Sequence, residues 1–505
     1  MKKNLWKKSE ASRKHLKQKI VIGLGVILFF LISKSYGVEL SGGNSAEYWL
    51  YIDQTLDSLN LKDHFEDRLK LNLNYKNLRV GAVFFYWHLS LPNRNRLLYF
   101  DYNCEYTDQI FELTWGRFYT TFAKGLCLNQ YLDEDFRINN SIFGLKGTIK
   151  YHGSELSFLA GQPRNIFFEE NVYKIKNDTL DRIRGVNLDT RFTLLNIINM
   201  NLGARYVRYH RPIDLTPRAF TEVFGGNVEV NFGPYQGYLE YARLLGSYPY
   251  IGGRLSGNGL LFSSALTFSG IGINFQFMNY DSIGFGGVGY RYNEVPTPIK
   301  SGTSVNRGID ELGYGIGVVY SPFNNLNLEI QHNSIKTHNN LEGILEQIGN
   351  VKYFLGENLE CNFILERNKK THIELPIEKK LEVKPIGEVT YHLENYFLDF
   401  SYEHNFISAD SSNYYEHAIV LSAGRPERYQ FTLRIERRNR TPVWLIPKLS
   451  QERYWIMAEV SWDISEQHNL RIRAGTEKGG IVCSGGVCRY EEPFKGVKLV
   501  LTSVF

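Results

Sequence analysis

Past residue 37 the chain has no apolar run approaching the roughly 20 residues that a membrane-spanning helix requires. It is also poor in methionine (4), proline (15) and cysteine (5) in 505 residues. The first shortage excludes a helical membrane protein, and the second, with few stretches of helical period, argues against a large α/β enzyme. No linker or Pro/Ser-rich spacer divides the chain, although its length alone would suggest about three soluble domains. Charge of one sign is missing as well. The full chain carries 58 Lys+Arg against 53 Asp+Glu, a net charge of +5. Nine of the basic residues and a single acidic one, Glu10, lie within residues 1–37, so the remainder is near −3. A basic surface for nucleic acid is thereby excluded.

The basic excess belongs to an export signal. Lys2, Lys3, Lys7, Lys8, Arg13, Lys14, Lys17 and Lys19 precede an apolar and glycine run from Ile20 to Ile32. Ser35-Tyr36-Gly37 then supplies small residues at the positions that a signal peptidase reads, which places cleavage before Val38. Residues 1–37 are expected to be a cleaved signal peptide and 38–505 a single domain. The seven residues between Val38 and a first strand at Ser45 leave no room for an N-terminal plug.

Aromatic residues and glycine fill the remainder: 33 Tyr, 32 Phe and 45 Gly. Runs of about ten residues alternate between apolar and polar. In "YFLDFSYEH", Tyr396, Leu398, Phe400 and Tyr402 share one face, and Asp399, Ser401 and Glu403 the other. In "FTLRIERR", Phe431, Leu433 and Ile435 oppose Thr432, Arg434 and Glu436. Tight turns such as "NYKN" (74–77), "YHGS" (151–154) and "GRPE" (424–427) alternate with longer polar connections at 121–140, 163–184, 245–255, 281–308, 336–345, 368–380, 438–451 and 479–492. This asymmetry predicts an all-β fold: a large antiparallel transmembrane β-barrel of about 22–24 strands, with short periplasmic turns and long outer loops. Blades repeating every 40–50 residues, as in a propeller, are absent.

The last strand, "FKGVKLVLTSVF", puts Val497, Leu499, Leu501 and Phe505 on one face, and Lys498 and Thr502 on the other. It is expected to pair with the first strand and abolish the open edge. Phe505 matches the terminal aromatic that assembly machinery reads in outer-membrane barrels. The inward face carries Asp399, Glu403, Arg434, Glu436, Arg471 and Arg473, and a ring of 16 or more strands encloses more space than side chains fill. Small solutes are the expected cargo, outer-membrane lipid and the barrel assembly machinery the expected partners, and the bacterial outer membrane the expected location.

No G-x-S-x-G, H-E-x-x-H, phosphate loop or dinucleotide fingerprint occurs, so no catalytic, cofactor or metal residue is assigned. "YLDEDFRINN" (131–140) gathers Asp133, Glu134, Asp135 and Asn139, but lacks the glycine and distal glutamate of a calcium loop. Cys483 and Cys488, in "GGIVCSGGVCRY", are expected to form a local disulfide. Cys104 and Cys127 could pair in the same way, leaving Cys361 as a small apolar residue. Residues 121–140 are the candidate constriction loop. The apolar half, "TFAKGLCL", suits packing on a wall, and Lys124 and Arg137 are expected to pair with inward carboxylates. Asp133, Glu134 and Asp135 would then bias passage toward cations or polar neutral solutes.

"GRFYTTFAKGLCLNQYLDEDFRINNSIFGLKG" (116–147) and "GGIVCSGGVCRYEEPFKGVKLVLTSVF" (479–505) resemble two recurring stretches of an uncharacterised family of outer-membrane barrels from Gram-negative bacteria. That family typically carries an F-Y-x-x-F-G-R-G-L type of motif. Here Phe122-Ala123-Lys124-Gly125-Leu126 stands in its place, with Ala123 and Lys124 for Gly and Arg. The resemblance implies a porin-like fold and a location, and no established substrate. Passage of small solutes is the leading expectation. A non-conducting barrel that presents its outer loops for binding or adhesion comes second, and a barrel enzyme third.

Overall fold

The computed structural model describes residues 38–53, 60–89, 96–134, 137–169, 172–176, 182–210, 220–248, 253–287, 290–300, 302–306, 308–374, 377–410, 412–440, 453–484, 487–491 and 493–505. The expected signal peptide lies outside them. Every wall strand runs antiparallel to its neighbours, and 26 strands share one sheet. Two of these, Leu132–Asp133 and Val172–Lys176, are short extensions beside longer strands, which leaves a ring of 24. The ring closes between Glu39–Asp53 and Phe494–Val504, with Gly43 opposite Val504 and Tyr51 opposite Gly496. The first strand thus begins at Glu39, six residues before the expected Ser45, because "ELSGGN" is needed to pair with Lys70–Asn74 and with the chain end.

The period-2 pattern sorts the two faces as expected. Tyr396, Leu398, Phe400 and Tyr402 are exposed on the outside, while Ser401 is buried within. Leu188, Leu202, Ile316, Leu365, Leu421 and Leu499 continue the outward apolar band. Aromatic residues flank it on both sides. Tyr75, Tyr151, Phe232, Phe268, Phe323 and Tyr429 stand at the short-turn end, and Tyr241, Tyr314, Tyr415 and Tyr454 toward the other. An apolar belt edged by aromatic rings is the surface that lipid requires of a transmembrane barrel.

Turns at one end are short: Phe232 to Tyr235 and Leu393 to Tyr396 are each bridged by two residues. The opposite end departs from the sequence expectation in several places. The expected connections at 163–184 and 245–255 are entered by paired strands, Asn165–Glu169 with Val172–Lys176 and Tyr248 with Gly253. Residues 368–380 are likewise not a long loop, because Leu359–Glu374 and Ile377–Leu393 extend into them as paired strands. Alternation is lost there because a hairpin standing clear of lipid needs no apolar face. Residues 282–309 are a long connection, but they fold inward rather than outward. Cys104 and Cys127 are both free thiols, so the alternative pairing open to them is not made. The hairpin Gly480–Ser484/Val487–Glu491 sets Cys483 opposite Cys488, and their side chains lie outside the described residues.

Candidate functional site: the lumen and its two inward loops

Twenty-four strands about 4.8 Å apart and tilted by about 40° enclose a ring roughly 45–50 Å across, far wider than inward side chains can fill. Two connections occupy one flank of that space. The first follows the strand Phe111–Phe118 and forms a small hairpin, Thr120–Phe122 with Leu128–Gln130. Phe122, Leu126, Cys127 and Leu128 are completely or almost completely buried. The second runs from Ile283 through Phe285, Tyr292 and Val295 to Ile299, all buried. Both pack on inward wall residues, Ile142, Leu159, Ile183, Val207, Val223, Leu244, Leu261 and Met278 among them, in one apolar cluster.

Glycines in the wall make room for this cluster. A Cβ at Gly185 would lie 3.0 Å from Phe122, one at Gly259 3.0 Å from Ile283, and one at Gly315 2.7 Å from Pro298. At Gly225 it would run into the sulfur of Cys127.

The loops are also bonded to each other. The Asn129 amide donates to Tyr292 O at 2.8 Å, and its side chain donates to Glu294 Oε2 at 2.8 Å. Asn293 Nδ2 donates to both Leu126 O (2.8 Å) and Ile283 O (3.0 Å). Gly125, at φ 101°, lets the first loop turn against Glu294 O. Tyr209 from the wall stacks on Tyr292, centroids 4.5 Å apart.

The wall anchors the loops through buried polar groups. Arg205 donates to Asn187 (3.2 Å), Glu240 (3.2 Å) and Asn227. Glu240 also accepts the Tyr238 hydroxyl at 2.6 Å and the backbone N–H of Lys124 at 3.3 Å. Glu311 takes the amides of Asn306 (2.7 Å) and Gly308 (3.0 Å), and Glu346 the amide of Lys300 at 2.8 Å.

The five candidate constriction residues divide. Arg137 is held by Glu47 at 2.8 Å and Glu66 at 3.7 Å, with its guanidinium over the Trp49 ring. Lys124 does not make the expected ion pair. Its ammonium donates to Ser263 Oγ at 3.2 Å and lies 4.4 Å above the Tyr238 ring, while Glu240 takes its backbone amide instead. Burial lowers the Lys124 pKa, against the pull of Glu240 and Glu229. Glu134 pairs with Arg68 at 2.9 Å and with Lys70. Burial alone would push its carboxyl up, but the hydrogen bonds and charges of Lys70 and Arg68 win and hold it below the usual range. Asp133 lies on the short strand Leu132–Asp133, and Asp135 lies outside the described residues.

The remaining flank, strands 359–504, is lined by charge of both signs and remains in part exposed. Arg434 reaches Glu403 (3.7 Å) and Glu436; Arg473 reaches Glu459 (2.6 Å) and Glu477 (2.9 Å). Arg438 and Lys478 share Glu416. Lys498 lies over both Trp49 and Phe494 near the seam.

A closed transmembrane barrel with one lumen flank covered by its own loops is the class that this geometry defines. Residues 17–295 and 444–505 match the family of unknown function DUF6029, and the chain belongs to that family. No curated protein matches by sequence. Among solved structures, the P pilus usher PapC translocation pore aligns at 8% identity with a TM-score of 0.44, over 92% of this chain and 99% of that one. The FrpB iron transporter from Neisseria meningitidis aligns at 9% and 0.46, over 92% and 82%. A BenF-like porin from Pseudomonas fluorescens aligns at 9% and 0.37, over 77% and 97%.

Proposed function

We propose that this protein is a porin-like channel of the bacterial outer membrane that passes small solutes, exported by a signal peptide, residues 1–37, that is then cleaved, and assembled into lipid by the barrel machinery. One observation carries the reading. The apolar loop cluster touches wall residues from Ile142 to Ile344, whereas the opposite flank presents partly exposed charges such as Arg434, Glu403, Arg471 and Glu459. Mixed charge on an uncovered wall fits water and polar solutes. In this reading Lys124, Asp133, Glu134, Asp135 and Arg137 border the narrowed passage.

The two inward loops also support a second reading, a barrel that conducts nothing. Planar bilayers decide between them. The purified protein is expected to give discrete single-channel steps. Asp133→Asn/Glu134→Gln/Asp135→Asn together should shift the reversal potential toward anions, because loss of Glu134 removes the carboxylate that Lys70 pairs with, while Arg68 keeps Glu66. Absence of steps from a folded barrel would favour the non-conducting reading.

A further inference from the structure

Beneath the two loops, toward the short-turn end, the ring holds a cavity of about 690 Å³. Its lining differs in kind from the charged flank. Lys124 and Arg191 are balanced by Asp189 and Glu229, and eight of the remaining lining residues are Asn or Gln. Several of these amides are unused by the fold: Asn201, Gln236, Asn274 and Gln276 make no side-chain hydrogen bond to another described residue. All four occupy inward positions on strands whose outward neighbours, Leu202, Ile273 and Phe275 among them, are exposed and apolar. Lys124 covers the Tyr238 ring, so recognition in the cavity rests on hydrogen bonds rather than stacking.

A carboxamide both donates and accepts, as a sugar hydroxyl does. A lining whose charges cancel offers an ion no net attraction to repay the cost of leaving water. The volume falls within the range of small-molecule sites. We propose that this cavity binds a neutral polyhydroxylated solute, a short oligosaccharide, on its way through the lumen. The proposal deepens the channel reading and rests on it only for access. Exchange at such a site must be fast, because a solute held too tightly would block its own passage.

Binding and conduction are therefore measured separately. Calorimetry on the full chain in detergent, with maltotriose and raffinose as probes, is set against triglycine as a zwitterion and glucose 6-phosphate as an anion. Both trisaccharides should bind, and Gln236→Ala/Asn274→Ala/Gln276→Ala should weaken them at least tenfold while the protein still migrates as a folded barrel. Should that triple variant fail to assemble, Gln276→Glu alone tests the same point, with weaker saccharide binding expected. Failure of both saccharides to bind, tighter binding of triglycine or glucose 6-phosphate, or unchanged affinity in the variants would overturn the site. Saccharide binding by a barrel that shows no conductance would overturn the channel and leave the site standing. Conductance without saccharide binding would do the reverse.

Discussion

Cys127 is where a single atom reports on the packing of the first inward loop. Burial first, and then the nearby charge of Glu240, push its thiol up to about 12, so it stays protonated and unreactive at neutral pH. With the other four cysteines replaced by serine, maleimide should leave Cys127 unlabelled in the folded protein and label it fully after denaturation. Gly225→Val puts carbon where the Cys127 sulfur sits. That variant should label at least tenfold faster while the barrel still assembles, and equally slow labelling would show that the loop does not lie on Gly225. Arg137 makes the complementary point. It holds φ at 56°, a costly region for a side-chain residue, and sits between two carboxylates. Arg137→Ala removes a charged partner from Glu47, which is half-buried, while Glu66 still pairs with Arg68; losing a charged hydrogen bond of this kind costs about 1.5–3 kcal/mol. A lowered urea midpoint of the folded band should show it.

The inward loops respond to acid as elements. The folded carboxyl of Glu134 titrates below its ordinary 4.5, so its contribution to docking is present above that value and is lost as pH falls through the depressed one. Acidification well below 4.5 should loosen the loop and raise conductance, and Glu134→Gln should show the raised value already at neutral pH. Identical pH profiles for the two proteins would refute this. The wall strands were legible because lipid outside and water inside enforce a period of two, as in Tyr396–Ala409. The second inward loop was missed. Its signal lay in the wall rather than in the loop: Val207, Leu244 and Met278 are apolar, and Gly259 and Gly315 carry no side chain, at inward positions where a water-filled lumen calls for polar groups. The residues 368–380 misled for the opposite reason, since hairpins above the membrane are freed from alternation. The fate of Lys124 was not legible at all, because its partners Ser263 and Tyr238 lie over a hundred residues away.

At the scale of the whole molecule, the seam decides whether a barrel exists. Phe505 exchanges backbone hydrogen bonds with Gly42, at 2.7 and 3.0 Å, and its ring lies where a Cβ at Gly42 would be, 2.8 Å away. Deleting Phe505 should reduce the heat-modifiable, membrane-assembled form several-fold, whereas Phe505→Tyr should retain it; equal yields would remove any role for the terminal ring. The same seam also sets an order of events. Each of the other 23 neighbouring strand pairs in the ring follows directly in sequence, so hairpins can add one at a time with little entropy lost per step. Closing Gly43 onto Val504 instead joins positions some 460 residues apart. For a flexible chain of that length closure would cost about 5 kcal/mol more than a two-residue turn, and the pre-formed sheet of hairpins is what reduces it. The loops around Cys127 and Tyr292 contact only the wall and each other, so they can settle on an open, curved sheet. Closure therefore comes last among the wall pairings, whereas each inward loop joins adjacent strands at one mouth of the ring and can enter axially whether or not the seam has shut.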